Sequence, residues 1–217
     1  MNKRNYQKEL DKLLEGLKGQ EGKRLLLHSC CAPCSSYVLE YLAPFFRITV
    51  FYYNPNITAS SEYFKRVEEQ KRLIELLNKR EGHFPIDIVE GDYKPEVFLD
   101  MAKGLEECPE GGERCFACYR LRLVETAKKA METGADYFAT TLTISPLKNA
   151  VKLNELGEEL AAVYGVEWLP SDFKKREGYK RSIELSAEYN LYRQDYCGCA
   201  FSKAQREREK NLSDCKI

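Results

Sequence analysis

The sequence predicts an α/β domain built on a mostly parallel sheet of five strands, with helices on both faces. Two observations predict it. Short apolar, β-branched runs alternate with stretches whose apolar residues recur at helical spacing, the pattern of strand–helix–strand units. Several of the runs also end at a turn signal, such as Asn54-Pro55-Asn56 or Gly91-Asp92.

Taken in order, residues 1–23 carry a charged amphipathic helix pattern. Arg24–His28 (RLLLH) reads as a buried strand running into a Cys/Pro loop, and Ser35–Ala43 as a helix with Ser35 or Ser36 as its N-cap. Arg47–Tyr53 (RITVFYY) is β-branched and aromatic, hence a strand. Phe64, Val67, Ile74 and Leu77 place a helix over Ser61–Lys79. Pro85–Val89 is the third strand, Pro95–Ala102 a helix, and the charged loop Gly104–Arg114 leads into a long helix, Phe116–Glu132. Tyr137–Thr141 is the fourth strand, broken off by Ser145-Pro146, and Lys148–Tyr164 is helical. Val166–Leu169 is the fifth strand, Tyr179–Asn190 a helix, and 203–217 a charged tail. With no repeat, low-complexity tract or linker, residues 1–217 are expected to form one domain. Ligands of such sheets collect beyond the carboxyl ends of the strands. The loops at 28–31, 54–56, 91–93, 141–148 and 171–173 are therefore expected along one rim.

Composition narrows the class. A chain of 217 residues, 43% hydrophobic and 31% charged, is that of a soluble globular protein. No apolar run approaches the roughly 18 residues that cross a bilayer. The N-terminus lacks the apolar core and cleavage site of a secretion signal, so a reducing cytosol is the compartment expected. There, nine cysteines, an odd number, point to metal binding or thiol chemistry, not to a disulfide framework. With 34 basic and 34 acidic residues the net charge is zero, so no bulk attraction to nucleic acid is visible. The basic stretches Lys174–Arg181 and KAQREREK, near the C-terminus, read as solvated helix surface.

Seven cysteines fall into three groups: Cys30, Cys31 and Cys34 in HSCCAPC, Cys115 and Cys118 in CFAC, Cys197 and Cys199 in CGC. Thiols two residues apart can converge on one metal. Cys115 and Cys118 sit where a helix begins, and its positive end favours thiolates. Gly198 permits a tight turn between its two neighbours. The adjacent pair Cys30-Cys31 is harder to read. Neighbours in extended backbone point to opposite sides, so either one is structural or the pair serves two metal positions. Seven thiols exceed the four of a closed zinc site, yet spacing alone leaves zinc and iron–sulfur both open. Cys108 and Cys215 read as bystanders.

Together, HSCCAPC, YNPNI, ERCFACYRLRL, TTLTISPLKN and YRQDYCGC, in this order from about Leu25 to Ser202, resemble the QueH family of epoxyqueuosine reductases. The resemblance implies an enzyme of the last step of queuosine biosynthesis. It would reduce the epoxide of epoxyqueuosine, at the wobble position of a tRNA anticodon, without cobalamin. It also implies a fold similar to the HUP/PP-loop class, five parallel strands in a three-layer α/β/α sandwich. The ATP-binding PP-loop is replaced here by Cys30-Cys31-Ala32-Pro33-Cys34. Rival readings are an iron–sulfur RNA thiolase of the PP-loop class and a zinc-stapled RNA-binding module.

On this reading the grouped cysteines hold a [4Fe–4S] cluster, and the surplus thiolates hold a second, mononuclear iron with Asp92 or Asp172. Asp195, inside the CGC segment, is the looser match. Tyr192 and Tyr196 flank the CGC turn as proton donors or stacking groups. Ser145, Lys148 and Asn149 bind the nucleotide or its phosphate. Arg114 and Arg122 contact the anticodon backbone or offset the cluster's charge. Asn54 and Asn56 read first as turn residues, then as substrate contacts. His28 reads as a structural residue at a strand end. The partners implied are tRNA bearing epoxyqueuosine and a low-potential electron donor, with no membrane.

Overall fold

The computed structural model describes residues 4–20 and 22–214. Its five strands are β1 (Lys23–His28), β2 (Phe46–Tyr52), β3 (Ile86–Glu90), β4 (Tyr137–Thr140) and β5 (Glu167–Trp168). They form one all-parallel sheet in the order β3-β2-β1-β4-β5. Strand β1 is therefore central. Its run Leu25-Leu26-Leu27 is buried throughout, with alternate side chains on opposite faces. Leu25 and Leu27 pack with Leu10, Val38, Leu39, Leu73 and Ile74. Leu26 packs on the other side with Tyr119, Leu123, Phe138, Leu153 and Trp168.

The helices that supply these layers are α1 (Tyr6–Leu17), α2 (Ala32–Leu42), α3 (Ser60–Asn78), α4 (Pro95–Met101), α5 (Glu113–Thr133), α6 (Ala150–Tyr164), α7 (Gly178–Glu188) and α8 (Ala200–Asp214). Helices α1, α2 and α3 cover one face, and α5 and α6 the other. The expected three-layer sandwich is therefore present. None of the described helices is long and apolar enough to cross a membrane.

Three local expectations change. Helix α2 starts at Ala32, three residues before Ser35, and its N-cap is Cys31 with extended backbone. Pro33 fits the first turn, where its missing N–H is not needed. Ser35 and Ser36 lie inside the helix, turning their hydroxyls back to the carbonyls of Cys31 and Pro33. Helix α5 starts at Glu113, so Cys115 and Cys118 both lie in its first two turns. The charged tail is helical, as read at KAQREREK, and forms α8 as far as Asp214, but it is not all solvated surface: Ser202 and Arg206 line the site described next. Residues 1–3 and 21 of the N-terminal pattern, and Cys215, lie outside the described residues.

A helix that returns between parallel strands runs against them, so it begins at their carboxyl edge. Helices α2, α5 and α6 all do so. Their positive ends meet above β1 and β4, where the strand order changes direction.

Candidate metal centre and active-site cleft

Two sulfur groups of different size form at this edge. Cys30, Cys31 and Cys34 bring their sulfurs within 4.8 Å of one another, the one group this compact among the described residues. Cys30 Sγ and Cys31 Sγ stand 3.7 Å apart. The expectation that adjacent cysteines diverge is thus corrected. The chain bends at Cys30 between strand and helix, so alternation does not apply. Hydrogen bonds from the Cys31 and Cys34 thiols hold the Cys30 pKa well below its ordinary value. Lys148 and the Thr141 hydroxyl act in the same sense. Cys31 is pushed up to about 12 in return, and Cys34 well above its ordinary value.

The second group is Cys115, Cys118, Cys197 and Cys199. These line a narrow chamber of about 20 Å³ with Asn56, Arg114, Arg122 and Lys148. Burial pushes Cys118 up to about 11 and Cys199 to about 12. Donors already point at the sulfurs: Gly111 N–H at Cys115 (3.2 Å), Ser202 N–H at Cys199 (3.3 Å) and Lys148 Nζ at Cys197 (3.6 Å). Cluster thiolates receive hydrogen bonds of this kind.

Arg122 is the chamber's anomaly. It is 1% exposed, and its bonds to Cys118 O and Asn54 Oδ1 are both 3.4 Å long. Its Nη2, like Asn56 Oδ1, is buried without a hydrogen-bond partner. Burial works against its charge, yet the sulfurs of Cys118, Cys197 and Cys30 keep it protonated above its ordinary value. An unmatched buried cation among four thiols fits an anionic, thiolate-bound metal cluster.

Outside the chamber lies a cleft of about 440 Å³. Its wall includes the triad, Arg66, Ser145, Lys148, Arg193, Asp195, Tyr196 and Arg206. Lys148, Cys197 and Glu110 line both spaces, so they form the partition.

Asp92 is not brought to the thiols. It pairs with Lys94 (2.6 Å) in a separate groove beside Glu90 and Glu125. Asp172 pairs with Lys174 at 2.7 Å and lines neither sulfur space. Both follow edge strands, β3 and β5, whereas the sulfurs sit over the middle of the sheet. The carboxylates in the cleft are Asp195, which pairs with Lys210 (2.5 Å), and Glu110.

Tyr192 does not line the cleft, and its hydroxyl donates to Glu62 at 3.0 Å. Asn149 caps α6, and Arg114 donates to the carbonyls of Leu105 and Glu106. Asn54 is buried, donating to Ser29 O at 2.8 Å. His28 bridges Thr140 and Tyr53 O, and burial holds its pKa down to about 3, so it is neutral.

Gly198 sits at φ +112°, where a Cβ would lie 2.8 Å from Ile57 Cγ1 and 3.3 Å from Arg66 Nη1. Its carbonyl accepts from Thr58 N–H at 3.2 Å. Gly198→Ala is therefore expected to cost about 1–3 kcal/mol of stability. It should also lower metal retention, read from thermal melts and metal content. Unchanged values would show that this turn does not set the cysteine geometry.

Arg66 and Glu110 escaped the sequence reading. A signal existed for Arg66. Tyr63, Arg66, Val67, Gln70, Leu73, Ile74 and Leu77 form the buried stripe of α3, and a charge on such a stripe is informative. Glu110, in an irregular loop, gave none.

Comparison with known proteins agrees with this picture. A family model described as "Epoxyqueuosine reductase QueH" matches residues 25–205. The epoxyqueuosine reductase QueH of Staphylococcus epidermidis is 47% identical over 201 residues, 91% of this chain and 84% of that one. The Staphylococcus aureus protein of the same name is 45% identical, with 94% and 87% covered. The Thermotoga maritima one is 35% identical, with 86% and 93% covered.

Proposed function

Because the chain belongs to the QueH family of epoxyqueuosine reductases, we propose that its cleft takes the epoxyqueuosine of a tRNA anticodon and reduces it to queuosine. The single observation that carries this reading is the pair of sulfur groups, one compact and one wide, meeting at a shared wall beside a cleft.

The reaction needs two electrons and two protons. Both C–O bonds of the epoxide break, a C=C bond forms, and the oxygen leaves as water. Sulfurs about 2.3 Å from one ion stand roughly 3.8 Å apart, which suits Cys30, Cys31 and Cys34 to a single iron. Cys115, Cys118, Cys197 and Cys199 have the number and the wider spread for a [4Fe–4S] cluster. When bound, these centres supply electrons singly and an open position that polarises oxygen.

The chain's own residues do the rest. A cleft of about 440 Å³ is the size of a small-ligand site and admits one extruded nucleoside. Lys148 holds a proton at Nζ in the partition, and Tyr196 presents a ring and a hydroxyl at the cleft wall. Asp195 and Glu110 are the carboxylates placed to complete the triad's metal or to relay protons. Arg193 and Arg206 supply positive charge beside the cleft for phosphates.

The test is an anaerobic assay with epoxyqueuosine-containing tRNA and a low-potential reductant, followed by mass spectrometry. Conversion to queuosine is expected, from protein carrying about five irons per chain and binding tRNA less tightly as salt rises. A colourless, zinc-only protein that leaves the tRNA unchanged would overturn the reading.

A further inference from the structure

One buried side chain shares the cleft wall with one sulfur group and bonds to a residue of the other. Arg66, on α3, is 2% exposed and lines the cleft beside Cys30, Cys31 and Cys34. Its guanidinium is clamped on one side by Glu62, with Nε at 2.7 Å and Nη2 at 2.6 Å from Oε1. On the other side Nη1 donates to the carbonyl of Cys197 at 3.3 Å. The same guanidinium lies 5.3 Å from the centre of the Tyr196 ring. Glu62 also accepts the Tyr192 hydroxyl. One ion pair on one helix thus grips three residues of the 192–197 segment.

That segment has little regular structure of its own to hold it. It lies between α7 and α8, outside both. Its other ties near Cys197 are Asn56 Nδ2 to Cys197 O (3.4 Å), Cys197 N–H to Ser202 Oγ (3.1 Å), Thr58 N–H to Gly198 O (3.2 Å) and Lys148 Nζ to Cys197 Sγ (3.6 Å). Of the two cations here, Lys148 reaches only the sulfur, whereas Arg66 holds the backbone carbonyl of Cys197.

We propose that Arg66, fixed by Glu62, is a positioning residue that holds Cys197 at the boundary between the two sulfur groups. The inference rests on the reductase reading for its catalytic consequence, but not for its structural one. A planar fork suits the task. It meets a carboxylate on one edge and a carbonyl on another, with its face toward an aromatic ring, which a lysine cannot do together.

The test compares Arg66→Gln, Arg66→Lys and Glu62→Gln with the parent chain and with Arg120→Gln, whose ion pair with Glu159 is on the surface. In metal-stripped protein, backbone amides of residues 196–199 should exchange with deuterium about tenfold faster or more in all three site variants. Amides of β1 and β4 should not change, which keeps the result distinct from general unfolding. In loaded protein, kcat should fall by about 10–100-fold, with KM for tRNA changed far less. The reduction midpoint should move to lower potential in Arg66→Gln, because a nearby positive charge is gone. Unchanged exchange at 196–199, or full rescue by Arg66→Lys, would overturn the proposal. Failure of the parent chain to bind iron or to reduce the substrate would instead overturn the reductase reading and leave the exchange result standing.

Discussion

Replacing Cys118 by Ala is expected to abolish epoxyqueuosine reduction, a loss on the order of a thousandfold or more. That exceeds the ~10–100-fold typical of residues that only support a metal ligand. Cys118 is buried in the chamber wall among Phe98, Ala102 and Cys199, so the substitution removes a sulfur and little volume. The metal-free fold should be nearly undisturbed. The informative comparison is Cys31→Ala, which removes a sulfur of the compact triad. On the proposed assignment, Cys118→Ala loses the visible absorption of the cluster and about four irons per chain. Cys31→Ala keeps that absorption, loses about one iron, and is equally inactive. Iron counts and spectra read anaerobically decide the matter. If Cys118→Ala keeps a full complement of iron, the chamber does not hold the cluster.

Arg122→Met should move stability in opposite directions in the two states of the protein. In metal-free protein the guanidinium is buried, has two long hydrogen bonds and leaves Nη2 unpartnered. Such a group costs more in lost hydration than it recovers, and an apolar side chain of similar length is often better by about 1–4 kcal/mol. A chain this size should then melt roughly 2–4 °C higher per kcal/mol gained. With a thiolate-bound cluster beside it, the same charge becomes matched, and its removal should lower iron retention and activity about 10–100-fold. Thermal melts of stripped and loaded protein check both halves. A variant less stable when stripped would show that Arg122 is paid for by the fold alone.

Much of the architecture was legible because it rests on local signals. The Leu25–Leu27 run, the β-branched strand β2 and the apolar spacing of α3 each announce themselves within a few residues. The sulfur segments were legible too, since thiols cluster visibly in sequence. What sequence did not supply was the order of strands across the sheet. The carboxylates Asp92 and Asp172 follow β3 and β5, and in sequence they are equivalent to any other rim residue. Pairing places these two strands at the opposite edges of the sheet, with β1 and β4 in its middle. Likewise, the meeting of Cys30 and Cys31 depends on a bend at one residue, which period-two reasoning cannot anticipate. Arg66 is legible only as a charge on the buried stripe of an otherwise ordinary amphipathic helix.

On the proposed assignment, the spread of the sulfur ligands along the chain, from residue 30 to residue 199, also dictates when iron can be installed. A nascent polypeptide that has emerged as far as β4 displays five of the seven grouped thiols and lacks Cys197 and Cys199. The triad is by then complete and can trap whatever cation is abundant, while the wider chamber is still missing two corners. Faithful assembly therefore belongs after the ribosome has finished, and cells overproducing this protein with scarce iron should accumulate chains in which only the smaller site is filled, with the wrong metal.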